Sequence, residues 1–298
     1  MNMLLTWLKK LLGMNKPQPP KPPTPTPTPQ PIQGESDMTE IKRALCIGIN
    51  DYPGQGNDLQ GCVNDALDWS NLLKATFGFT EIDTLLNTQA TYANVTQAIE
   101  RLISKTQPGE LLVITYSGHG TSVLDKNGDE PGDRRDEALC LYDRLLIDDV
   151  IKDYLSAMRD GASLVVISDS CHSGSVTRMA MDDTYSVPRY MPPTDGDTAL
   201  ALNSLPLKGR AFRSNDEESM KDVLLTGCRS DQVSYDARIN GRYSGAMTFN
   251  AIKAIRENPQ ATWSEFYKTL RRYLPSSQYN QEPQLEGSAA NKNKKLFS

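Results

Sequence analysis

The chain has 298 residues, with 32 Lys and Arg against 37 Asp and Glu, a net charge of −5 and 38% hydrophobic side chains, the balance of an ordinary globular protein. An acidic total without a long Lys/Arg run excludes affinity built on phosphate backbones, so no nucleic acid is expected among the partners. Five cysteines without a Cys-x-x-Cys spacing suit neither a disulfide framework nor a zinc knuckle, which points to a reducing, cytoplasmic setting, and two histidines exclude a multi-histidine metal centre.

In chain order, residues 1–15 come first. Leu4, Leu5, Trp7, Leu8, Leu11 and Leu12 fall on one arc of a helical wheel with Lys9 and Lys10 outside it. The apolar run is shorter than a bilayer-spanning helix needs, which leaves two readings: a weakly ordered tail, or a helix that docks on a membrane surface or a protein. Residues 16–40 hold nine of the 19 prolines, all within Pro17–Pro31, and read as a semi-rigid linker. Residues 41–298 remain, enough for one large domain.

Within that domain short, nearly continuous Leu/Ile/Val runs alternate with amphipathic stretches. Strands are predicted at Ala44–Ile49, Ile82–Leu86, Leu111–Tyr116, Leu164–Ser168 and Val223–Thr226, each of the kind buried on both faces. Helices are predicted over about 64–76, 92–106 (capped by Thr91 or Asn94), 148–158, 245–256 and 262–273, and residues 282–286 suggest a sixth, closing strand. The pattern predicts an α/β fold, a mainly parallel doubly wound sheet of about six strands with helices on both faces, and reactive groups beyond the carboxyl ends of the strands. Residues 41–175 and 222–298 flank a connection, 176–221, without clear periodicity; loops of that length are usually functional or disordered.

Two strand ends carry the chemistry. LLVITY runs into Ser117-Gly118-His119-Gly120, and LVVIS runs into Asp169-Ser170-Cys171-His172-Ser173-Gly174. If the two strands are neighbours, His119 and Cys171 emerge side by side. A thiol with a pKa of about 8.5 is mostly protonated at neutral pH, so a nucleophilic Cys171 needs a base such as His119. His172 is set aside, because consecutive residues leaving a strand point to opposite sides. The amides of Gly120 and Cys171 are candidate donors to a developing oxyanion, whereas Cys46, Cys140 and Cys228 read as structural.

The motifs YSGHG and DSCHSG, with ALCIGINDY on the first strand and LQGCVNDA entering the first helix, resemble the paired signatures of caspase-like cysteine peptidases, the metacaspases and their bacterial relatives in particular. The resemblance covers residues 41–298 and implies a caspase-like three-layer sandwich, a Cys171/His119 dyad and a monomer. It also implies an acidic pocket formed by Asp65 and Asp169 and lined by Cys62 and Ser117. Paired carboxylates favour a guanidinium or an ammonium, so the implied substrates are proteins or peptides cut after Arg or Lys; the bland reading of Asp65 is a helix cap.

The chemistry itself needs no cofactor, but many metacaspases respond to calcium. Asp148 and Asp149, and less surely Asp133, match the aspartates of that response, while Arg178 stands where a fourth would be. The competing reading makes Asp148 and Asp149 a helix start. Residues 125–137, DKNGDEPGDRRDE, open like an EF-hand loop but carry Glu130 where Gly is required. An enzyme that accepts Arg or Lys has targets in its own long connection, and Lys208, Arg210 and Arg213 are the expected self-cleavage sites. The rival to an enzyme is a non-catalytic member of the fold that docks partners through its N-terminal helix.

Overall fold

Runs of Val, Ile and Leu that must be covered on both faces assemble into one sheet. The computed structural model describes residues 41–124, 135–172, 186–196 and 217–298; the N-terminal helix candidate, the proline linker, Asp133, Arg178, Lys208, Arg210 and Arg213 lie outside the described residues. Six strands, β1 (Lys42–Gly48), β2 (Glu81–Leu86), β3 (Leu111–Ser117), β7 (Ser163–Asp169), β9 (Asp222–Thr226) and β12 (Gln284–Glu286), lie in the order β12-β9-β7-β3-β1-β2. All neighbours are parallel except β12, which runs antiparallel to β9 at the edge.

The two-residue period of a strand splits its side chains between two cores. Ala44 and Cys46 of β1 join Leu111, Val113, Val165, Ile167, Val223 and Leu225 on one face. Helices α1 (Cys62–Phe77), α4 (Ala246–Glu257) and α5 (Trp263–Leu270) cover that face through Ala66, Trp69, Leu73, Ala251, Ile255 and Phe266. Leu45 and Ile47 point the other way with Leu112 and Ile114, toward α2 (Tyr92–Lys105) and α3 (Asp148–Ser156). The three layers predicted from the sequence are therefore present. Thr91, not Asn94, caps α2, its side chain accepting from the Asn94 amide. Thr262 and Glu265 form a reciprocal capping box that starts α5 at Trp263. Among the described residues no helix is long and apolar enough to cross a membrane.

Two small antiparallel sheets were not predicted. β4 (Gly120–Leu124), β5 (Arg135–Cys140) and β6 (Leu145–Ile147) form one; β8 (Ser186–Pro188), β10 (Tyr235–Ile239) and β11 (Arg242–Gly245) form the other. Their strands are three to six residues long, and all but the three-residue β6, Leu-Leu-Ile, mix polar with apolar side chains, so no long apolar run marks them. β8 lies inside the long connection that reads as structureless in the sequence.

The chain ends in an aromatic socket. Phe297 is buried, and Phe77, Trp263, Phe79 and Trp69 meet its ring edge to face at centroid distances of 4.7, 5.1, 6.2 and 6.4 Å. Lys42 adds a bond from Nζ to the Phe297 carbonyl at 2.8 Å. Truncating a buried aromatic leaves a cavity that its neighbours fill only in part, so Phe297→Ala is expected to lower unfolding stability by about 3–5 kcal/mol, read as a fall in the urea midpoint at unchanged slope.

Candidate active site

Strand register decides what meets at the edge of the main sheet. Ser117 at the end of β3 is the partner of Asp169 at the end of β7, so His119 and Cys171, each two residues further on, leave the same edge on adjacent strands. His119 is buried and clamped by two phenols. The Tyr52 hydroxyl accepts from the His119 amide at 2.9 Å and donates to the Cys140 carbonyl, while the single Tyr116 hydroxyl proton is shared between the His119 carbonyl at 2.7 Å and the Cys140 carbonyl at 2.8 Å. The Tyr52 ring lies 4.8 Å from the imidazole. Both tyrosines stand inside motifs singled out above, yet nothing in the sequence marks them as the clamp.

Nε2 of His119 is 2.8 Å from the Asn57 carbonyl. A carbonyl only accepts, so Nε2 carries the proton and Nδ1 keeps its lone pair. That Nδ1 is buried and has no hydrogen-bond partner. Burial lowers the His119 pKa to about 4, only partly opposed by the bond to Asn57. The Cys171 sulfur is fully buried and turned toward Ser234, whose amide donates to it at 2.7 Å and whose carbonyl accepts from it at 3.2 Å. The two groups expected to pair thus share one edge, with the thiol held by Ser234. His172 points elsewhere, its ring against the Thr121 carbonyl, the Ser170 hydroxyl and Glu137.

Next to them is an acidic chamber with its own occupant. Arg189, fully buried, places Nη2 at 2.6 Å from Asp65 and 3.0 Å from Asp236, and Nη1 at 3.3 Å from Asp169 and 3.1 Å from the Asp169 carbonyl. Each carboxylate is braced on its far side. Asp65 accepts from the Ser244 hydroxyl at 2.6 Å and the Gly245 amide at 3.0 Å. Asp169 accepts from the Thr248 amide and hydroxyl at 2.9 and 2.8 Å, and from the Ser234 hydroxyl. Asp236 accepts from the Gln60 and Gly61 amides at 2.7 and 2.9 Å. A Cβ on Gly245 would collide with the Asp169 carboxylate and the guanidinium, so only glycine lets the chamber close. Cys62, fully buried at the start of α1, lies in the field of Arg189 and the three aspartates, and Ser117 is buried beside Asp169 by register.

One expectation needs correcting. Asp65 and Asp169 are not alone at the mouth of a pocket: they form a buried chamber with a third acid, Asp236, which the sequence hid within the alternating strand Tyr-Asp-Ala-Arg-Ile. Burial, reinforced by the charge on Asp169, pushes Asp65 up to about 6 against the pull of Arg189 and Ser244.

The backbone around Arg189 is held as tightly as its side chain. Its amide donates to the Ser234 carbonyl at 2.9 Å, and its carbonyl accepts from Gly120 at 3.0 Å and Cys171 at 3.1 Å, the two amides singled out as oxyanion donors. Upstream, β8 pairs antiparallel with β10, Pro188 opposite Tyr235 and Val187 opposite Asp236. Downstream, Met191 donates to the Gly120 carbonyl at 3.1 Å and Tyr190 bridges Gly120. Residues 186–191 therefore cross the site as one extended strand.

Asp148 and Asp149 open α3, and Lys152 bridges them at 2.7 and 3.1 Å. These two carboxylates, joined by an ammonium, supply by themselves fewer than the six to eight oxygens calcium takes, and Asp133, the third expected ligand, lies outside the described residues.

Comparison with known proteins identifies the family. Residues 42–180 match the family model "Metacaspase, peptidase C14 domain". Metacaspase-1 of Emericella nidulans is 32% identical over 294 residues, covering 85% of this chain and 72% of its own; metacaspase-1 of Ajellomyces capsulatus is 30% identical over 321 residues, covering 93% and 89%. Among solved structures, a protein from Geobacter sulfurreducens superposes with a TM-score of 0.67 at 28% identity over 87% of this chain and 98% of its own. Caspase-1 from Spodoptera frugiperda, at 12% identity, a TM-score of 0.54 and coverage of 87% and 91%, shares the fold. With its caspase-like sheet and with relatives alike over most of its length, the chain belongs to the metacaspase family of cysteine peptidases.

Proposed function

We propose that the protein cuts peptide bonds after Arg, and less efficiently after Lys, with Cys171 as nucleophile and His119 as its base. The observation that carries this reading is the seat of Arg189: side chain among three carboxylates, carbonyl on two convergent amides, backbone paired as a strand. A substrate bound the same way presents its carbonyl carbon beside the sulfur, polarised by the Gly120 and Cys171 amides. Arg can use two nitrogens on Asp65, Asp169 and Asp236 at once, whereas the single ammonium of Lys cannot span them.

The chemistry follows from the proton inventory. Rotation about the Cys171 Cα–Cβ bond exchanges Ser234 for the lone pair on His119 Nδ1, which takes the thiol proton. The sulfur attacks the carbonyl, the Gly120 and Cys171 amides hold the oxyanion, and the imidazolium returns its proton to the leaving amine. Water then enters, His119 removes its proton, and the thioester is hydrolysed. Asn57 and the Tyr52–Tyr116 pair act through His119, fixing its tautomer and its place.

The segment in the site is also the protein's own first substrate. Its scissile bond is Arg189–Tyr190, so the self-cleavage expected after Lys208, Arg210 or Arg213 moves to Arg189. Until the segment is cut or leaves, it excludes other chains.

Wild type incubated alone is expected to yield, on denaturing separation, a polypeptide beginning Tyr-Met-Pro-Pro, absent from Cys171→Ala and Arg189→Ala; new termini at Gly209, Ala211 or Ser214 instead would return the cut to the later stretch. Fluorogenic peptides ending in Arg should be hydrolysed about tenfold more efficiently than those ending in Lys. Asp236→Asn should lower kcat/KM for the Arg peptide by about 100-fold, chiefly through KM, because a buried charge loses its partner; no hydrolysis under any condition would favour a non-catalytic docking module. In Cys171→Ala, the His119 ring resonances, assigned against His119→Asn, should titrate near pH 4. The depressed value means the imidazole stays neutral, and competent as a base, as pH falls through 6.5, and is lost only near 4.

A further inference from the structure

One buried thiol beside the nucleophile takes no part in the chemistry above. Cys228 follows β9, whose Thr226 is paired with Ser168 of β7, so Cys228 stands level with Ser170 and one residue short of Cys171. Its sulfur lies 3.9 Å from the Ser170 carbonyl, the peptide unit that leads into Cys171, and 3.5 Å from the Gln232 carbonyl. The Cys171 sulfur rests against Ser234, two residues further along the same segment. Both thiols therefore face one short stretch of backbone just beyond the ends of adjacent parallel strands, and a side-chain hydrogen bond joins them, the proximity a disulfide requires. Cys46 lies mid-strand and Cys62 is turned to the acidic chamber.

We propose that Cys171 and Cys228 form a reversible disulfide when the protein meets hydrogen peroxide, with Cys171 as the oxidised sulfur and Cys228 as the resolving one. In the first step a peroxide oxygen bonds to the Cys171 sulfur as the O–O bond breaks, giving a sulfenic acid and one water. In the second the Cys228 sulfur attacks that of Cys171, the S–O bond breaks, and the departing oxygen carries off the Cys228 proton as a second water. Two thiols are oxidised by two electrons and one peroxide is reduced. A hydrogen bond with Cys171, then burial, raises the Cys228 pKa well above an ordinary thiol, which keeps Cys228 protonated until a sulfenic acid forms beside it. The disulfide would silence the nucleophile while sparing it the irreversible acids.

The test is peptide mapping of the reduced, purified full chain after graded peroxide. Expected is a linked peptide pair containing Cys171 and Cys228, with a loss of about 2 Da, reversed by dithiothreitol. Hydrolysis of an Arg-ended peptide should fall with formation of the link and return to at least about 80% of its start after reduction, whereas Cys228→Ser should recover less than about 10%, its Cys171 carrying a gain of about 32 Da. Cys228 still open to alkylation once Cys171 is oxidised, or Cys171 linked to another cysteine, would overturn the proposal. The link is scored by mass and needs no peptidase activity, so its absence is separable from any failure of the functional reading.

Discussion

Keeping one guanidinium and three carboxylates out of water costs several kcal/mol per ion, and much of the site is arranged to offset that cost. The braces come from widely separated parts of the chain: Gln60 and Gly61 ahead of α1, Ser234 ahead of β10, Ser244 and Gly245 at the end of β11, and Thr248 in the first turn of α4. The Gly245 and Thr248 amides lie at the N-terminus of α4, where unpaired N–H groups and the helix dipole favour negative charge. A chamber this well supplied with donors holds its three carboxylates in place around the Arg189 guanidinium.

His119 and Cys171 depend on the same edge. Parallel pairing of β3 with β7 sets the reach between His119 and Cys171, while the tyrosine clamp and Asn57 fix the imidazole. Ser234 is shared among three tasks: its backbone holds the Cys171 sulfur, its carbonyl takes the Arg189 amide, and its hydroxyl braces Asp169. Displacing the segment therefore disturbs the Cys171 thiol and the acidic chamber together.

The central sheet was legible in the sequence because strands covered on both faces have no polar positions to dilute their signal, as in LLVITYS and SLVVISD. Asp65 and Asp169 could be found through their motifs. Asp236 could not, since an acid in a short alternating strand looks solvent-facing until the fold folds it inward. Arg189 was hidden for a related reason. Ser-Val-Pro-Arg-Tyr offers neither an apolar run nor helical periodicity, and its strand exists only because β10 supplies the partner. Favouring the later basic residues rested on composition; the placement of Arg189 rests on hydrogen bonds between elements distant in sequence.

The order of strands has a last implication. β9 comes from the part of the chain after Arg189, yet lies against β7 from the part before it, and the C-terminal Phe297 is lodged among Trp69, Phe77 and Phe79 of the first part. A nicked molecule is thus a non-covalent heterodimer whose interface is the original hydrophobic core. It would travel as one particle in native buffer and separate into two polypeptides only when that core is dissolved.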